Sequence, residues 1–199
     1  MAGVNSEKMI NTLNQLWSEN FDGLAPLAYE LKHQLSDRWV RFHSLPESKR
    51  YPENELDYAE ILTRYNKILK EHFGLNAQLY VVIPEYSGSK IPFKLEKKLR
   101  RMFRNAEYWQ TVDRCQQCGE EFYWHFYVAS LNYSGYELNA FLRLIANDEV
   151  ANCFVVAENS RTLFHPYDGG SDSILASSEE RNKLKEKFSH WLSNHPEGF

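Results

Sequence analysis

The chain has 199 residues, a formal net charge of −4, and a composition that is 43% hydrophobic and 15% aromatic. That is enough apolar material for a packed core, and it excludes an intrinsically disordered chain, which is poor in aromatics. Its longest apolar runs, such as Leu79 to Ile83, fall far short of the ~20 residues of a membrane span, and Met1 to Lys8 has no apolar signal core. A cytoplasmic protein with no membrane partner is the expectation.

Met9, Leu13 and Leu16 recur at helical spacing, so residues 5–19 are expected to form an amphipathic helix, broken at Asp22-Gly23. Leu24, Leu27, Leu31 and Leu35 continue at the same period. Residues 38–43 alternate as a strand whose register is ambiguous, because Trp39 and Phe42 have opposite parity. Ser44 to Pro52 is a loop. From Glu53 to Phe73 a stripe of Leu56, Ile61, Leu62, Tyr65, Ile68, Leu69 and Phe73 predicts one continuous helix, acidic at its start, basic at its end and stopped by Gly74. Leu79 to Ile83 is expected to be a buried strand ended by Pro84.

The basic segment around Lys94 to Arg104 has helical spacing of Leu95, Leu99, Met102 and Phe103. Phe122 to Leu131 follows as a strand and Tyr136 to Ile145 as a helix. Cys153 to Ala157 and Thr162 to His165 make a hairpin candidate over residues 158–161. After a turn at Pro166 to Asp172, a last helix opens with Ser177 and Glu180 at capping-box spacing and carries Leu184, Phe188, Trp191 and Leu192. Strands and helices interleave without a strict βαβ rhythm. The expected fold is therefore α+β, with a mostly antiparallel or mixed sheet of about five strands and helices packed on it. One globular domain spans 1–199, with 1–36 open to being a helical N-terminal extension.

Three cysteines suit free thiols in a reducing compartment. Cys115 and Cys118 stand at chelating distance in sequence, with Cys153 and His125 as further candidates, yet no second CxxC or His pair completes a zinc set. A polar, turn-like stretch surrounds the pair, so incidental surface cysteines are preferred over zinc or redox chemistry. No cofactor fingerprint appears and no metal is expected. Residues 90–104 carry seven cations against Glu96 alone, but with a pI near 6.0 a solvated helix face is preferred and nucleic acid is disfavoured as a partner.

Two segments are more polar than packing requires. Arg41 to Tyr51 holds Arg41, His43, Ser44, Lys49 and Arg50. His165 to Asp172 holds His165, Tyr167, Asp168 and Asp172 around Gly169-Gly170, a pair that permits positive φ and close backbone approach. His43, His165 and Asp168 are the acid–base candidates; Arg41, Ser44, Lys49, Arg50, Tyr167 and Asp172 are the binding candidates. Tight turns and loop-bracing ion pairs are the plainer explanation. Gly-Ser followed by Asp resembles nucleotidyltransferases, but Asp172-Ser173-Ile174 lacks the second carboxylate that chemistry needs. Opposite charges on the two segments give them a reason to meet in space.

The strings Arg41-Phe-His-Ser-Leu-Pro-Glu-Ser-Lys-Arg-Tyr-Pro52, Glu55-x-x-Tyr58-Ala-Glu-Ile-Leu62, His165-Pro-Tyr-Asp-Gly-Gly170-x-Asp172-x-Ile-Leu175 and Trp191-Leu-Ser-x-His-Pro-x-Gly198 resemble a family of bacterial hypothetical proteins of unknown function. The resemblance covers most of 38–83 and 150–199 and leaves Ser87 to Cys118 outside it. It implies a bacterial source and a small stand-alone domain, and no activity. Two readings follow: a binding or regulatory protein of inhibitor or immunity kind with a protein partner, or an enzyme on a small polar or phosphorylated substrate between the two polar segments.

Overall fold

A computed structural model describes residues 2–21, 23–158 and 160–193. Asp22 of the expected break, Asn159 of the expected hairpin loop and the closing motif beyond Ser193 lie outside the described residues. The chain runs α1 (Ala2–Asn20), α2 (Ala28–Gln34), β1 (Trp39–His43), α3 (Glu55–Phe73), β2 (Ala77–Ser87), α4 (Lys97–Met102), β3 (Glu107–Asp113), α5 (Cys115–Cys118), β4 (Tyr123–Tyr133), α6 (Asn139–Ala146), β5 (Phe154–Ala157), β6 (Leu163–Tyr167), β7 (Gly170–Ile174) and α7 (Ser178–Lys187).

The strands form one open, seven-stranded sheet in the order β1-β7-β6-β5-β2-β4-β3, every neighbouring pair antiparallel. This is the expected α+β class, with seven strands in place of about five. The two that escaped the pattern are polar. β3 is an edge strand whose only buried side chain is Trp109, and a register shift between Tyr108 and Gln110 breaks its alternation. β7, Gly-Ser-Asp-Ser-Ile, is buried throughout although its composition reads as a turn.

Helices cover both faces of the sheet. On one, α3, α4, α6 and α7 pack through Ile61, Tyr65, Leu99, Phe141 and Leu184 onto Val81, Ile83, Val155 and Phe164. On the other, α1 and α2 pack through Leu13, Trp17 and Leu31 onto Val82, Phe126, Val128 and Val156. With both faces buried, β1 can bury Phe42 in the first core and place Trp39 beside the second. That resolves the ambiguous register.

α3 begins at Glu55 rather than Glu53 because the Asn54 side chain caps it, accepting from the amides of Leu56 (2.9 Å) and Asp57 (3.1 Å). Leu56, expected in the core, is 82% exposed. It lies five residues before Ile61, well off the stripe defined by Ile61, Tyr65, Ile68 and Leu69. β2 does not stop at Pro84 but continues to Ser87. β5 pairs only with Leu79 to Val82, so the missing proline N–H meets no neighbour on that side. α6 starts at Asn139, later than Tyr136. Ser177 caps α7 by accepting from Glu180 N at 3.2 Å, and the expected stripe continues past Lys187 in a 3-10 turn that buries Trp191 against Phe188.

Candidate functional site

Register builds the site. β1 pairs with β7 so that Arg41 lies opposite Asp172, and β6 pairs with β7 so that His165 lies opposite the same Asp172. Alternation then aims Arg41, Asp172 and His165 to one face as a single row across three strands. Asp172 is 2% exposed, and Arg41 engages it through both guanidinium arms, Nε to Oδ1 at 2.7 Å and Nη2 to Oδ2 at 2.8 Å. The Arg41 guanidinium also lies 4.9 Å from the Tyr167 ring centroid and 5.5 Å from that of Trp39.

Only Asp168-Gly169 separates paired Tyr167 and Gly170 at the β6–β7 hairpin. Neither glycine adopts positive φ, contrary to one expected use of the pair. Gly170 is instead required by contact: a Cβ there would sit 2.2 Å from the Phe42 carbonyl oxygen. The hairpin is braced from the opposite face by Tyr65, whose hydroxyl lies 2.6 Å from the Tyr167 carbonyl and 2.8 Å from that of Gly170.

The two polar segments therefore meet. Arg50 Nε donates to Asp168 Oδ2 at 2.6 Å, and the amide of buried Ser44 donates to the Gly169 carbonyl at 3.1 Å. Not all candidates join. Lys49 is taken by Asp57 (2.6 Å) and Glu53 (2.9 Å) at the start of α3. His43 Nε2 lies 3.2 Å from Ser48 Oγ, and burial with nearby Arg41 and Arg64 lowers its pKa. Neither lines the cavity described next. The loop between them holds Glu47 and Ser48 at φ 56° and 59°, a strained pair for non-glycine residues.

A cavity of about 230 Å³ opens over the row. Arg41, His165, Tyr167, Asp168 and Asp172 line it, together with groups the sequence did not single out: Tyr29 and Lys32 from α2, and Asp148, Val150, Ala151 and Asn152 from the loop before β5. Lys32 sits on a short helix that reads as purely amphipathic. Asp148 and Asn152 sit at φ 58° in a loop without other signal. Nothing in sequence distance hints at either.

His165 is the unusual member. It is 4% exposed, and neither ring nitrogen has a hydrogen-bond partner among the described residues. Asp172 Oδ2 is 3.9 Å from Nδ1, beyond hydrogen-bond reach. Burial pushes its pKa down to about 4; the pull of Asp172 is outweighed, and Arg41 and Lys32 reinforce the burial. At neutral pH the ring is uncharged, with one nitrogen a donor and the other an acceptor. Burial likewise raises the Tyr167 phenol and lowers the Lys32 ammonium, the latter with help from Arg41.

His125 shows the contrast. It is fully buried, with Nδ1 2.8 Å from Thr111 Oγ1 and Nε2 3.0 Å from both Ser87 Oγ and the Ser89 carbonyl. A carbonyl only accepts, so Nε2 carries the proton and cannot take one from Ser87. Cys115 and Cys118 bound the one-turn α5, and Cys153 is buried beside β5, where burial pushes its thiol well up. Among the described residues no three His, Cys, Asp or Glu side chains converge as a metal-ligand set, and no helix is long and apolar enough to cross a membrane.

No curated protein and no solved structure matches the chain. One family does, described as "Domain of unknown function (DUF3885)", over residues 27–196. The match begins just before α2, spans every strand, and includes the Ser87 to Cys118 segment that the recognised strings left out. The chain belongs to the DUF3885 family.

Proposed function

We propose that this protein binds a small polar ligand in the cavity over the Arg41–Asp172–His165 row. The observation that carries the reading is His165: a buried imidazole facing a cavity, with both nitrogens lacking a partner among the described residues. Burying such polar groups unpaired costs about 1–3 kcal/mol, and a ligand that donates to one nitrogen and accepts from the other removes that cost. The concavity also favours a small molecule over the flat surface that an inhibitor- or immunity-like partner would use.

Recognition is favoured over proton transfer by two further facts. A general base works best with a pKa near the working pH, and His165 lies at about 4. Asp172 is committed to Arg41 and does not orient the imidazole. The alternative, an enzyme on a small polar or phosphorylated substrate, uses the same cavity with His165 and Asp168 as acid–base groups.

Thermal melting against a panel of amino acids, carboxylates, phosphate monoesters and nucleosides tests the reading. A ligand at 100 times its Kd stabilises the folded state by about 2.7 kcal/mol, so at least one compound should raise Tm by several degrees. His165→Gln should fold and lose that response. A response equal in His165→Gln, or none to any compound, removes the proposal. Turnover of a binding compound would favour the enzyme.

A further inference from the structure

We propose that the open edge of β3 is a docking site for an extended, acidic segment of a partner protein, which adds to the sheet as an eighth strand. The edge shares no residue with the cavity. β3 closes the sheet order and pairs with β4 alone. The outward N–H and C=O groups of Gln110 to Asp113, beyond the register shift, therefore meet no backbone partner among the described residues. One strand inward, the loop before α4 stands over β4 and is anchored at two points. His125 Nε2 donates to the Ser89 carbonyl at 3.0 Å, and the Tyr127 hydroxyl donates to the Phe93 carbonyl. The Phe93 ring meets His125 edge-on, 5.6 Å between centroids, and His125 lies opposite Thr111 of β3. Between the anchors Ile91 is 78% exposed, and Phe93 and the β3 residue Tyr108 are each 42% exposed. Apolar side chains held in water on a braced loop add nothing to the fold; they are pre-organised for a partner.

Charge fixes the kind of partner. Lys98 is taken by Glu149, whereas Lys90, Lys94 and Arg104 form no ion pair among the described residues. Lys90 and Lys94 bracket Ile91 and Phe93 in the braced loop, and both are exposed. Arg104 stands just before β3, and Lys90 is within electrostatic reach of Asp113 at its far end. The two carboxylates of β3 itself are engaged: Glu107 accepts from the Ser6 hydroxyl at 2.8 Å, and Asp113 from the Cys115 amide at 3.0 Å. An added strand turns alternate side chains to the face that carries Thr111 and Phe93. Carboxylates there meet Lys90 and Lys94, and apolar residues between them meet Ile91 and Phe93. A strand edge pairs with a peptide backbone. Nucleic acid and lipid headgroups supply negative charge but not the alternating donors and acceptors that such an edge completes.

Selection of phage-displayed random peptides, about twelve residues long, on the full chain tests this. The peptides recovered should be acidic, with apolar residues at alternate positions. In fluorescence anisotropy a synthetic copy should bind ten-fold or more tightly than the copy with Gln and Asn in place of Glu and Asp. Of its two sets of alternate backbone amides, N-methylation of one should abolish binding, and the amides of Gln110 to Asp113 should exchange more slowly in the complex. Lys90→Glu combined with Lys94→Glu should weaken binding ten-fold or more, and Ile91→Ser several-fold. All three side chains are exposed, and circular dichroism and melting check that the variants fold. Recovery of no peptide, or of peptides that are not acidic, overturns the proposal, as does binding indifferent to N-methylation or to the paired lysine changes. A labelled oligothymidylate or phosphatidylglycerol vesicles that bind through Lys90 and Lys94, where acidic peptides do not, would overturn it in favour of nucleic acid or a membrane surface.

Discussion

Two ion pairs tie the polar segments together, and their burial sets their worth. Asp172 is 2% exposed and bidentate with Arg41, whereas the Arg50 side chain on Asp168 is 64% exposed. Removing one partner of a buried pair leaves an uncompensated charge and costs about 3–5 kcal/mol, while an exposed pair contributes less than about 1 kcal/mol. Asp172→Asn should accordingly shift the urea midpoint strongly and Arg50→Ala little. Equal effects would mean the row is wetter than its burial implies. His165 makes a prediction with a definite sign. Its folded pKa of about 4 lies below the unfolded value of 6.5, so the unfolded chain binds the extra proton. Stability is fully present above about pH 6.5 and falls as pH drops toward about 4, by up to about 1.4 kcal/mol per pH unit for this one group. Urea unfolding at pH 7 and pH 5 should show the loss, and His165→Gln should flatten it. An unchanged slope in the variant would assign the pH dependence to other groups.

At the scale of elements, α3 organises the face opposite the cavity. Its stripe buries Ile61, Tyr65, Ile68 and Leu69, and Tyr65 reaches through to the hairpin carbonyls. Leu56 looks equivalent in composition and is not. Leu56→Ser should change stability by no more than about 0.5 kcal/mol, and Ile61→Ala should cost about 2–5 kcal/mol; chemical denaturation of the two variants checks the difference. β7 is the complementary case, a strand held by its surroundings rather than its own apolarity. Two of its three polar side chains are satisfied in the interior, Asp172 by Arg41 and the Ser173 hydroxyl 2.8 Å from His72 Nε2, while the buried Ser171 hydroxyl has no hydrogen-bond partner among the described residues.

For the whole molecule, the family match starts at residue 27, leaving α1 outside it, yet α1 is no loose appendage in packing terms. Leu13, Leu16, Trp17 and Phe21 are buried in the core that covers Phe126, Val128, Phe154 and Val156. Each such side chain contributes about 1.5–3 kcal/mol by burial. A chain lacking residues 1–20 should therefore melt far lower or aggregate. Unchanged melting would make α1 dispensable to the fold.

Local pattern determined much of this protein. The α3 stripe, the Ser177 cap, the aromatic β4 and the apolar β2 and β5 were legible because period and burial coincide within one element. Opposite charge on the two polar segments also foretold that they would meet. Tertiary structure decided the rest. β3 and β7 became strands because a neighbouring strand completes their hydrogen bonds, a condition composition does not record. Which candidates share a cavity was settled by register: one residue of slip would turn Arg41, Asp172 or His165 to the other face. Lys32 and Asp148 reach the same cavity from a helix and a loop far apart in the chain, and only folding brings them to it.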